Sequence, residues 1–207
     1  MTSLLLRLFA VLAVLALATG CGGGGDEASG DGSTGPQIPE SPVITGNPAG
    51  YNAADITFAS TMVKHHQQGI ELAKLVSARS GNQQLTALAD QIVAIQQPEI
   101  NILNVFLVQW DENPDIRTGP GGDEPRDQSV PGTVDDATVA RLESLQGPQF
   151  DTLWLETMLG HHQGGVDIAT REIDNGANVD AVSVAKSIVA GLNPQMSVMR
   201  QMLEGMP

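Results

Sequence analysis

The chain has one cysteine, 3% aromatic residues and only 10 lysines and arginines against 24 acids. Each shortage excludes something. With a single cysteine there is no internal disulfide framework and no Cys-rich metal knot. So few aromatics leave Ala, Val, Leu and Ile to fill a core, which favours helices over a sandwich packed with Tyr, Phe and Trp. The net charge of −14 argues against nucleic acid, whose phosphates need Lys and Arg, and against electrostatic adhesion to anionic lipid. It is compatible with a cation partner or with solubility alone. No Glu-x-x-His motif occurs, so the di-iron bundle signature is missing. No Gly-rich phosphate loop lies between a strand and a helix, and nothing places a Ser/His/Asp triad. No catalytic constellation emerges, and the chain is not expected to be an enzyme.

The first residues carry a different message. Residues 4–18, LLLRLFAVLAVLALA, form an apolar run too short for a good membrane span. It reads as a secretory signal, with LATGC and the lone Cys21 directly after it. The pattern resembles a bacterial lipoprotein signal, with Ala18 where leucine is usual. Residues 1–20 are then a signal peptide, and Cys21 carries lipid. Residues 21–50, rich in Gly, Ser, Pro and acid, bury too little apolar surface to fold and read as a tether. The expectation is an exported protein anchored on the outer face of the cytoplasmic membrane, or in a periplasm or outer membrane.

All four histidines lie in two phrases. Residues 62–73 read MVKHHQQGIELA and residues 158–169 read MLGHHQGGVDIA. The offset of 96 pairs Met62 with Met158, His65 with His161, His66 with His162 and Gly69 with Gly165. It persists downstream, pairing Pro98 with Pro194, Glu99 with Gln195 and Leu103 with Met199. Two segments sharing one offset indicate an internal duplication, with repeats at about 55–110 and 148–205. Phe58, Met62, His65, Gly69, Leu72 and Val76 follow a 4-3-4-3-4 helical spacing, with Asp55 as N-cap and Gly81 as stop. A second helix runs from Asn82 to Trp110, and the later copy repeats the pair at 148–175 and 179–204. Proline inside each second helix should kink it. A long crossover, with a short helix at 135–145 capped by Thr133, joins the copies. The domain at 51–207 is therefore all-α: a four-helix bundle of two repeated hairpins.

Adjacent helical residues point about 100° apart, so each His-His pair aims at two neighbours. Met62 precedes His65 and His66 on the same face, and imidazole with thioether suits copper. Glu99 is the nearest candidate carboxylate; Gln195, its counterpart, is a poorer ligand, so two sites would be unequal. The candidate metal ligands are Met62, His65, His66, Glu99, Met158, His161 and His162. Met196, Met199, Met202 and Met206 form a possible secondary thioether site, although methionines three apart also serve as core filler. The competing reading makes the histidines buried hydrogen-bonding groups, His66 with Glu99 and His162 with Gln195.

These phrases resemble the bacterial "domain of unknown function 305" family, over residues 51 to 204. The resemblance implies a ferritin-like four-helix bundle, export, and copper binding or tolerance in some members. Met62, His65, His66, Met158, His161 and His162 match the family phrase, and Glu99 its second-helix acid. Thr61, Thr157, Leu72 and Ile168 stand where further methionines are usual, which weakens the copper case and leaves the bundle untouched. The expected role is a membrane-tethered copper protein for sequestration or handover. A structural or partner-binding lipoprotein is the alternative. A ferritin-like metal oxidase would need a carboxylate cluster that the sequence does not show.

Overall fold

A computed structural model describes residues 49–112 and 130–206. The signal, the tether, Cys21 and most of the crossover lie outside the described residues. Six helices appear among them: α1 Ala53–Lys74, α2 Val76–Arg79, α3 Gln83–Glu112, α4 Asp136–Ser144, α5 Gly147–Asn175 and α6 Val179–Glu204. There is no strand among the described residues, and the architecture is the expected all-α ferritin-like bundle. α1 packs along α3, α5 along α6, and α1 along α5. α1 and α5 are thus the central pair. They run antiparallel, since Asn52 before α1 donates to the carbonyl of Asn175 at the end of α5 (2.9 Å).

The helix starts follow local chemistry, with two shifts from expectation. Asn52, not Asp55, is the N-cap of α1; its side chain accepts from Ala54 and Asp55, while Asp55 bonds back to the Asn52 amide. This is a capping box, in which the acid belongs at the third helical position. Asp55 is then free to accept from the amides of Ala177 (3.2 Å) and Asn178 (2.9 Å), so one carboxylate ties α1 to the start of α6. Asp135, not Thr133, caps α4, accepting from Thr138 (2.7 Å); its ionised form binds amides best. Pro148 occupies the first turn of α5, where its missing N–H costs nothing. α3 and α6 continue through Pro98 and Pro194. Both prolines are exposed, so the carbonyl each leaves unpaired can meet water.

The core splits at the histidines. One cluster joins Phe58, Met62, Ile100, Leu103, Ile188 and Leu192. The other joins Leu72, Leu88, Ile92, Phe150, Trp154 and Met158, with Leu142 of α4 tucked in. Each helix of the four passes from one cluster to the other across a band of polar side chains. Trp154 anchors the second cluster by donating its indole N–H to the Leu72 carbonyl (2.8 Å).

Candidate metal centre

That polar band contains His65, His66, His161 and His162, together with Gln96, Glu99 and Gln195. The four histidines are 3%, 0%, 1% and 0% exposed. They enter the core because the helical stripe that buries Met62 and Gly69 also carries positions 65 and 66. The same holds in α5 for Met158, His161, His162 and Gly165.

The four rings divide into two kinds. The outer pair points to the partner helix of its own hairpin. His66 Nε2 lies 2.9 Å from a Glu99 carboxylate oxygen, and His162 Nε2 lies 2.8 Å from the Gln195 amide oxygen. The inner pair meets at the central crossing: His65 and His161 stack with centroids 3.8 Å apart and planes 27° apart. Neither nitrogen of either inner ring makes a hydrogen bond; each ring only leans toward the other residue's backbone. The Nδ1 atoms of His66 and His162 are also buried and unbonded.

Two glycines make this crossing. A Cβ on Gly69 would fall 3.0 Å from His161 Cε1, and one on Gly165 would fall 3.1 Å from His65 Cε1. Each copy's glycine therefore seats the other copy's inner histidine. Burial keeps His65, His161 and His162 neutral. It pushes His65 down to about 3, with the neighbouring His66 and His162 adding repulsion. It pushes His162 down to about 4, against a lesser pull from Gln195, and holds His161 well below the usual imidazole range. Neutral imidazoles keep lone pairs available at physiological pH.

The duplication is imperfect where the chemistry is. Gln96 of α3 is buried with both amide atoms unbonded, and its counterpart Leu192 is apolar. Glu99 and Gln195 differ likewise. The α3 side thus offers more polar donors than the α6 side. Gln96 was not singled out from sequence; its position three residues before Glu99, on the same face, was the signal available.

A strap covers the band. Residues 130–134 cross α5, where a Cβ on Gly164 would strike the backbone of Pro131 and Gly132. Gly132 has φ 74, a region open to glycine. Gln68 clasps the strap from α1, donating to the Val134 carbonyl (2.8 Å) and accepting from the Val134 amide (2.9 Å). Neither Gln68 nor Gly164 was flagged from sequence.

The remaining candidates separate from the histidines. Met62 and Met158 are 0% exposed, one in each apolar cluster, a turn before the rings. Met199, Met202 and Met206 belong to the second cluster, and Thr152 donates to the Met206 sulfur (3.2 Å). Met196 is buried outside both clusters. Among the described residues no three His, Cys, Asp or Glu side chains converge on one point.

A family model described as "Domain of unknown function (DUF305)" matches residues 55–203. The chain belongs to the DUF305 family. Among solved structures it is similar to a putative secreted DUF305 protein from Streptomyces coelicolor: 26% identity, 73% of this chain, 91% of that one, TM-score 0.64. It is also similar to a DUF305 fragment from Deinococcus radiodurans: 25% identity, 76% and 99% coverage, TM-score 0.63. CopM in its Cu(I)-bound form shares the fold at 22% identity, 73% and 96% coverage, TM-score 0.58. No curated protein matches the chain. The DUF305 assignment covers both His-His phrases and both hairpins.

Proposed function

We propose that this DUF305 chain is an extracytoplasmic copper-binding protein, held at a membrane through lipidated Cys21, that sequesters or hands over the metal. The observation that carries the reading is the stacked pair His65 and His161: two buried, neutral imidazoles with no hydrogen bond to either ring. Buried polar atoms are normally paired, and the few that are not call for a reason. A metal ion supplies one. CopM, which shares the fold, has Cu(I)-, Cu(II)- and Ag-bound forms, and the Streptomyces relative is described as a putative secreted protein.

Copper is here cargo. His65 and His161, with His66 and His162 beside them, supply borderline nitrogen donors, and Met62 and Met158 the soft sulfur that favours Cu(I). The inner rings are stacked rather than converged and are packed tightly against Gly165 and Gly69, so holding an ion requires them to rotate apart. Glu99 orients His66 and stabilises positive charge, whereas Gln195 only orients His162, so the two halves should differ in affinity. We assign the chain no catalytic step.

A second reading has its own observation. The approach of His66 Nε2 to Glu99 and the contact of His162 Nε2 with Gln195 give each outer ring one polar neighbour, as in a core histidine held by its partner helix. In that case the protein is a structural or partner-binding lipoprotein. Titration with Cu(I), Cu(II) and Zn(II) separates the two, in a Cys21→Ser background so that no thiol competes. The metal reading expects stoichiometric copper that is lost in His65→Ala/His161→Ala while the helical signal persists. A chain that ignores all three ions, yet unfolds on the same changes, supports the structural reading.

A further inference from the structure

The internal duplication creates two equivalent grooves between α1 and α5, one toward each end of the bundle. They are filled differently. One is walled by Phe150, Trp154, Leu72, Leu75 and Val76, and Leu142 of α4 joins the same cluster. The offset of 96 carries these positions to Ala54, Phe58, Ile168, Arg171 and Glu172. Here phenylalanine has become alanine, tryptophan has become phenylalanine, and two aliphatic positions have become charged. The result is a cavity of about 300 Å³, closed on one side by Val130 and Pro131 of the strap. That volume is at the small end of ligand pockets.

Its wall contains an unusual group. Glu172 is 1% exposed, and behind it lies the fully buried carboxyl of Asp55. Asp55 spends its oxygens on the amides of Asn52, Ala177 and Asn178. Neither Glu172 oxygen finds a hydrogen-bond donor, and no basic side chain forms an ion pair with either acid among the described residues. Two carboxyl groups this close are compensated either by a shared proton or by a cation. The proton is the present arrangement: burial, then the adjoining Asp55, pushes Glu172 up to about 9.

We propose that this groove binds a small organic cation, an amine with an apolar body, whose ammonium takes the proton's place at the Glu172–Asp55 pair while its body lies against Phe58 and Ile168. The strongly acidic chain draws cations toward any such opening. Arg171 stands exposed at the rim, and would favour an anion instead, which makes ligand charge the discriminating variable. The site is independent of the histidine centre.

The test uses the full-length chain and three matched probes in calorimetric titrations: phenethylamine, 2-phenylethanol and phenylacetate. The proposal expects saturable binding of the amine alone. Glu172→Gln, which keeps a neutral polar group of the same shape, should weaken it by about tenfold or more. Ala54→Phe, which restores the bulk of the filled groove, should abolish it. Unchanged melting curves show that both variants fold, and a variant that does not fold is replaced by Thr61→Leu at the same wall. Preference for phenylacetate, equal binding of the alcohol, amine binding that ignores Glu172→Gln, or no binding of any probe would overturn it.

Discussion

Residue by residue, the pH dependence of this fold is set by the titratable groups the core holds neutral. The unfolded-state histidine titrates near 6.5, whereas His65 and His162 do so at about 3 and 4 in the fold. The unfolded chain therefore binds more protons below pH 6.5, and stability is full above that pH and falls as pH drops toward 4. Glu172 acts in the opposite sense. Its folded value of about 9 lies above the ordinary 4.5, so its contribution is full below 4.5 and is lost as pH rises to 9. Urea midpoints measured from pH 4 to 9.5 should peak near pH 6.5, and Glu172→Gln should flatten the alkaline limb while steepening the rise between pH 4.5 and 6.5. An alkaline limb unchanged in that variant would refute the assignment. Gly165 supplies a second residue-scale prediction. A Cβ there would sit 2.9 Å from Leu192 and 3.1 Å from His65, so Gly165→Ala should cost roughly 1–3 kcal/mol in chemical denaturation by overpacking. Gly191, where a Cβ meets nothing within 4 Å, is the control: its alanine variant should be neutral or slightly stabilising.

At the scale of elements, most of the helical plan was legible. The 4-3-4 spacing located α1 and α5, and α6 matches its expected bounds of 179–204. The caps were misread by two or three residues because several polar side chains near each helix start can cap it: Asn52 caps α1 while Asp55 bonds elsewhere, and Asp135 caps α4 while the Thr133 hydroxyl donates to the Val130 carbonyl. Asp55 looks like a cap in one dimension and is a bridge between α1 and α6 in three. The short helix α4 was anticipated, but its purpose was not, since a groove between α1 and α5 is invisible until they pack. Leu142 is fully buried in the cluster of Trp154 and Phe150, so Leu142→Ala should destabilise by about 2–4 kcal/mol. Because α4 follows the strap, the same variant should also speed hydrogen exchange at the Val134 amide, which Gln68 now protects.

At the scale of the molecule, the duplication explains both what was foreseen and what was missed. The pairing of His66 with Glu99 and of His162 with Gln195, which the competing structural reading used, follows from placing the second helices beside the first, and the structure shows both contacts. The stack of His65 on His161 depends on how the two hairpins dock, information held in Gly69 and Gly165 but unreadable from one hairpin alone. A two-fold arrangement brings equivalent positions together only near its axis, and residues 65 and 161 are those positions. Departures from the repeat then mark specialisation: Gln96 against Leu192 and Glu99 against Gln195 at the histidines, Glu172 against Val76 in the open groove. Reversing one, with Gln195→Glu, should bring the second half toward the first and raise copper stoichiometry or affinity, read by competition with a chromogenic Cu(I) chelator.

The most direct measurement is copper K-edge X-ray absorption on the Cu(I)-loaded full-length Cys21→Ser chain. Copper held at the histidine centre should show imidazole nitrogen in its coordination shell together with thioether sulfur, and the bound copper should be lost in His65→Ala/His161→Ala. A shell of oxygen donors alone, or the same spectrum after both inner histidines are removed, would contradict that placement.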